Sequence, residues 1–128
     1  MVNIELSNFD DVRAVRKWVG DLARAAGIHD PEAAVMAAGE LGNNCVEHGG
    51  ESPGLLHVGS GPGWLSLQFE NQCARRPQWR TRKPVAVDGF RTGGYGLQLA
   101  RALARRVDCR WTDGRIIISA EFDSSDQS

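Results

Sequence analysis

Three polar residues, Glu40, Asn44 and His48, stand at i, i+4 and i+8 in the segment VMAAGELGNNCVEHGG. On a helix each step of four advances the face by only ~40°, so the three form one slowly drifting stripe. Asn43 adds a second amide beside it. Val35, Met36, Leu41, Cys45 and Val46 surround the stripe and are expected to pack inward. Consecutive asparagines are poor helix formers, because their amides compete for the backbone. They need a reason to be there. A solvent-facing stripe is the plain alternative, yet lysine and arginine are absent from Gly27 to Leu67, and a solvated face normally mixes both signs. One carboxylate, two amides and a histidine suit a divalent cation and phosphate oxygens.

The run Thr92-Gly93-Gly94-Tyr95-Gly96-Leu97 leads into an apolar periodic stretch. Gly94 and Gly96 allow close backbone approach, and the free N–H groups of a helix start attract an anion. GxxxxGK[ST] is missing and no strand precedes a GxGxxG, so neither nucleotide fingerprint of that kind applies. A tight helix start without a ligand is the alternative. Between the two motifs, Arg75, Arg76, Arg80, Arg82 and Lys83 place five cations in nine residues around Trp79. They suit phosphates or an acidic protein partner. Base stacking on arginine and an aromatic, or a plain solvated loop, are the other readings.

The elements that must position these residues are legible from periodicity. Residues 2–6 alternate as a strand. Val12, Val15, Val19, Leu22 and Ala26 mark a helix capped by Ser7 or Asn8 and stopped by Gly27. Asp30-Pro31-Glu32 starts a second helix, expected to run to His48 and end at Gly49-Gly50. Residues 55–59 and 64–70 read as a hairpin across a Gly59–Gly63 turn. Residues 71–92 have no period and read as a long loop. Leu97, Ala100, Leu103, Ala104 and Val107 predict a third helix over 95–107. Residues 108–111 and 115–122 predict a last hairpin across Thr112-Asp113-Gly114. The order predicts an α+β fold, a two-layer sandwich with about three helices on one face of a mostly antiparallel sheet.

The chain of 128 residues is 41% hydrophobic and 24% charged, with a net charge of −1. That fits one globular domain and excludes a whole-domain basic footprint for nucleic acid. No apolar run approaches the ~20 residues of a membrane helix. The acidic, alternating start does not resemble a secretory signal. Cys45, Cys73 and Cys109 lack CxxC spacing, and His29, His48 and His57 lack HExxH spacing, so reduced thiols in a cytoplasmic protein are expected. The domain is expected over 1–122, with a disordered tail at 123–128.

ELGNNCVEHGG followed about fifty residues later by GGYGLQLARAL resembles the ATP-binding domains of the GHKL superfamily, which includes gyrase and the histidine kinases. Within it the chain is most similar to the small bacterial anti-sigma factor serine kinases. The family pattern E-x-x-x-N-x-x-x-H-G falls on Glu40, Asn44, His48 and Gly49, and its later glycine box on Gly94, Tyr95, Gly96 and Leu97. The resemblance implies the Bergerat, or histidine-kinase-like, ATPase fold, with ATP and Mg²⁺ as cofactors. Asn44 would be the Mg²⁺ ligand and Glu40 the general base toward a serine hydroxyl. Asn43, Asn44, His48, Gly93, Gly94, Tyr95, Gly96 and Leu97 would contact the nucleotide, under a lid at about 72–92. The family's D-x-G-x-G box falls on Asn71, Cys73 and Arg75, so an amide would meet the adenine amino group. The family's threonine near the last strand aligns with Arg115. The implied substrate is a serine on a STAS-domain antagonist, with a sigma factor as a further partner, no direct nucleic acid, no membrane, and a homodimer open. A nucleotide-independent adaptor and a detached histidine-kinase catalytic domain are the rival readings.

Overall fold

The computed structural model describes residues 2–48, 52–73 and 100–125. In chain order these form β1 (Val2–Leu6), α1 (Phe9–Ala26), α2 (Pro31–His48), β2 (Gly54–Gly61) and β3 (Trp64–Gln72). Residues 100–103 are helical and are called α3. β4 (Arg106–Thr112) and β5 (Arg115–Asp123) follow. The sheet has the order β1-β2-β3-β5-β4, with every neighbouring pair antiparallel.

α1 begins where its sequence says it should. The Asn8 side chain accepts from the Asp11 N–H at 2.9 Å, and Asp11 Oδ2 accepts from the Asn8 N–H at 3.3 Å. This reciprocal box satisfies amides that have no partner inside the helix. Gly27 ends the helix at φ 74°, a left-handed conformation that glycine adopts without strain. In α2, Asp30 Oδ1 accepts from the Ala33 N–H at 3.1 Å, and Pro31 occupies the first helical position.

Strict alternation along β3 buries Leu65, Leu67, Phe69 and Asn71 and turns Ser66, Gln68 and Glu70 outward. On the inner face they meet Val15, Val19 and Ala23 of α1, and Ala34, Ala37, Ala38, Leu41 and Cys45 of α2. Leu56 and Val58 of β2 and Ala120 and Phe122 of β5 complete this core, and Ala100 joins it from α3. The outcome is the two-layer α+β sandwich expected from the order of elements.

Four boundaries differ from the sequence expectation. Asn71 and Gln72, read as the start of the long loop, belong to β3, where they pair with Ile116 and Arg115. The third helix does not reach 107: the Arg105 N–H already bonds Glu121 O at 2.8 Å, and Arg106 and Val107 belong to β4. Val107 faces Ala120 across the ladder, so an inward strand position mimics the helical spacing from Leu103. The β2–β3 strands run to Gly61 and Trp64, which leaves Pro62-Gly63 as the turn, with Gly63 at φ 83°. Asp123, expected in a disordered tail, is the last residue of β5. Its carbonyl accepts from the His29 N–H at 3.0 Å, and the Ser124 N–H donates to Gly63 O at 3.1 Å. The β4–β5 turn is as expected: Asp113 and Gly114 both take positive φ, 51° and 75°, as a two-residue hairpin turn requires.

Candidate functional site

Glu40, Asn43 and Asn44 are half-buried on the C-terminal half of α2, between the buried Leu41 and Cys45. The helix thus carries a polar stripe that is neither fully solvated nor enclosed. Burial pushes the Glu40 carboxyl above the ordinary carboxylate range; the Glu47 charge pushes the same way, and Arg16 opposes them. A carboxyl raised by burial is closer to neutral pH and so a better proton acceptor there. His48 closes α2, and its side chain lies outside the described residues. The same holds for Gly93, Gly94, Tyr95, Gly96 and Leu97, and for Arg75, Arg76, Arg80 and Arg82.

Asn71 sits near the end of β3 on the helix-facing side and is 7% exposed. Its Nδ2 donates to the Cys45 carbonyl of α2 at 3.4 Å. Its Oδ1 is buried and accepts no hydrogen bond from any described group. An unsatisfied buried acceptor costs about 1–3 kcal/mol. The fixed donor contact determines which end of the amide is left over. It is the acceptor.

Gly54, the first residue of β2, completes this corner. A Cβ there would lie 2.8 Å from Asn71 Oδ1, 2.8 Å from Cys45 Cβ and 3.2 Å from Cys45 Sγ. Only a bare Cα lets the start of β2, the end of β3 and the late turns of α2 converge. Gly54→Ala is therefore expected to cost about 1–3 kcal/mol by overpacking, read as a lower urea midpoint at unchanged slope. It should also displace the Asn71 amide.

The family resemblance puts Arg115 where the family has a threonine of the nucleotide site. The β3–β5 ladder places it on the face of the sheet opposite Asn71. Asn71 pairs with Ile116, whereas Arg115 pairs with Gln72 and shares the outward face. There the Arg115 guanidinium bonds Glu70 Oε2, and Glu70 Oε1 lies 3.3 Å from His57 Nε2. His57 Nδ1 in turn contacts Asn3 Oδ1 at 2.7 Å. The arginine stitches the outer surface of the sheet and does not crowd the inner corner. Cys73 is held by its backbone: its N–H donates to Gly114 O at 2.7 Å, and its carbonyl accepts from Trp111 Nε1 at 2.8 Å.

Neither Cys45 nor Cys109 offers an activated thiolate. Burial pushes the Cys45 thiol up to about 12. Burial also raises Cys109, against opposition from Arg101. Among the described residues no group of three or more His, Cys, Asp or Glu side chains is placed to hold a metal ion. No helix among them is long and apolar enough to cross a membrane.

The sequence profile of the histidine kinase-like ATPase domain matches residues 7–121. The chain belongs to that family. The profile runs from just after β1 into β5, so the α2 stripe and the Asn71 corner both lie within the ATPase domain. Among solved structures, the chain is similar to one containing the RsbU and RsbW domains of Rv1364c from Mycobacterium tuberculosis, with a TM-score of 0.65 and 20% identity. The match covers 94% of this chain and 31% of that one, and at this identity it speaks for the fold. No curated protein matches the chain at a significant level.

Within the ATPase family the donor set can be weighed against the nucleotide. An orphaned, buried acceptor beside a bare glycine fits a base that brings an amino group. Gly54, the Cys45 carbonyl and Arg16 escape a reading of the sequence. A glycine after Ser52-Pro53 looks like an ordinary strand start, and a backbone carbonyl has no sequence signature.

Proposed function

We propose that the chain is an Mg-ATP-dependent serine protein kinase of the anti-sigma type, cytoplasmic, acting by partner switching. The observation that carries the reading is Asn71 Oδ1, without a partner among the described residues and buried next to the helix that bears Glu40 and Asn44, in a chain of the ATPase family.

Each residue has a definite task in this reading. Asn71 Oδ1 accepts from the amino group of the adenine base, which supplies the missing donor. Asn44 offers an amide oxygen to Mg²⁺, a hard cation that keeps several waters and needs few protein ligands. The bound ion would neutralise charge on the phosphate oxygens. Glu40 lies one helical turn from Asn44 and takes the proton from the attacking serine Oγ–H. As Oγ bonds to the γ-phosphorus, the bond from that phosphorus to the bridging oxygen breaks and ADP leaves with the electron pair. Glu40 ends protonated and returns its proton to water. Asn43, His48 and the glycine box Gly93–Leu97 are assigned to the nucleotide, and Arg75, Arg76, Arg80 and Arg82 to phosphate or partner contact.

The acceptor serine belongs, in this reading, to a STAS-domain antagonist, and a sigma factor is the competing partner. Phosphorylation adds about two negative charges, enough to release the antagonist from an interface that contains a carboxylate such as Glu40. The test is thermal unfolding with and without Mg-ATP. A ligand that binds the native state raises Tm, by an amount that grows with its concentration over Kd. A rise with ATP supports the kinase. An unchanged Tm at millimolar nucleotide favours an adaptor that binds partners without turnover.

A further inference from the structure

α1 and α2 approach each other through glycines. A Cβ at Gly42 would meet Val12 Cγ1 at 3.1 Å, and one at Gly20 would meet Val35 Cγ2 at 3.1 Å. At Gly39 the space is filled differently. The Arg16 side chain crosses it, with Cδ 3.0 Å, Nε 3.2 Å and Cγ 3.5 Å from where a Cβ would stand. Arginine stems commonly lie along such a surface while the guanidinium stays in water. Gly39 immediately precedes Glu40, and the Arg16 charge acts on that carboxyl, favouring its ionised form.

The geometry points to Arg16 as a positioning residue for Glu40: seated on the bare Cα of Gly39, it holds a positive charge beside the carboxylate and keeps it available as a base. The inference rests on the reading of Glu40 as the general base. Two influences work against an ionised Glu40, its burial and the Glu47 charge on the same helix. From α1, the packed neighbour, the opposing charge is Arg16. A Cβ at 39 would press on the arginine stem, whose Cδ lies 3.0 Å from that position, and would shift it by a few tenths of an ångström. A guanidinium whose only role was surface packing would tolerate replacement by an uncharged side chain of similar length.

The experiment follows the Glu40 side-chain carboxyl by ¹³C NMR titration in wild type, Arg16→Gln, Arg16→Lys and Gly39→Ala. Alongside it runs the pH dependence of kcat/KM for transfer from Mg-ATP to a STAS-domain acceptor. In Arg16→Gln the Glu40 midpoint should move to higher pH. At a pH below the Glu40 midpoint kcat/KM should fall about two- to five-fold, the scale of a partly exposed charge pair, with the gap closing as pH rises through it. Arg16→Lys should restore most of both, and Gly39→Ala should move both in the direction of Arg16→Gln. A Glu40 midpoint identical in wild type and Arg16→Gln overturns the proposal, and the NMR readout gives that result even in a protein without activity. A midpoint that moves while the pH–rate profile stays still means that Arg16 acts on a carboxylate that is not the base. That result removes the catalytic role from both residues.

Discussion

Glu40→Gln is expected to lower phosphotransfer by about 10²–10⁴-fold, the usual contribution of a general base, while Mg-ATP still raises Tm as it does in wild type. Glutamine keeps the size and the hydrogen-bonding reach of glutamate but cannot take up the serine proton. The side chain is half-buried on the polar stripe of α2, and the contacts that define the Asn71 corner do not include it. Binding and chemistry should therefore separate in this variant. Asn44→Ala should not separate them, because loss of the amide oxygen weakens both. Rapid-quench transfer of labelled phosphate decides the matter. Equal transfer by Glu40→Gln and wild type would take Glu40 out of the reaction.

Asn71→Asp should move two measurements in opposite directions. In the free protein the aspartate turns an oxygen toward the Cys45 carbonyl, where the Asn71 amide now donates at 3.4 Å. Two acceptors would face each other in a corner that is 7% exposed. Stability should fall by about 1–3 kcal/mol. In the nucleotide complex the other oxygen, at the position of Oδ1, shares the carboxylate charge, and charge-assisted hydrogen bonds are roughly twice as strong as neutral ones. The rise in Tm on adding Mg-ATP should exceed that of wild type. Calorimetric unfolding with and without nucleotide measures both quantities on one sample. A rise equal to or smaller than wild type would mean that the base does not sit at residue 71.

Much of the architecture is legible in the residues alone. Asn8, Gly27 and Asp30 announce helix ends because caps are local chemistry, decided by a few neighbouring atoms. The alternation of β3 tells inside from outside because one face of the sheet is dry. Periodicity carries the third helix too far, to 107, for an equally physical reason. Over four or five residues, helical and strand spacing place the same residue inward, and only the ladder from Arg105 to Glu121 separates the two. At the site, the polar stripe of α2 is visible as residue types at fixed intervals. The corner at Asn71 is not. It depends on a backbone carbonyl, on a missing Cβ at Gly54, and on the parity of a strand pairing that sends Arg115 to the opposite face. Those are facts of three-dimensional register. A linear motif aligns positions without saying which side of a sheet they occupy.

Isothermal calorimetry of ATP and of GTP, each with magnesium, tests the central claim most directly. The claim is that a fixed amide, with its Nδ2 committed to Cys45 and its Oδ1 left bare, chooses a base by its amino group. ATP should bind, and GTP should bind at least about tenfold more weakly, because a keto oxygen brought against Oδ1 leaves two acceptors unpaired. Equal affinity for the two nucleotides, or no heat from either at millimolar concentration, would contradict the account.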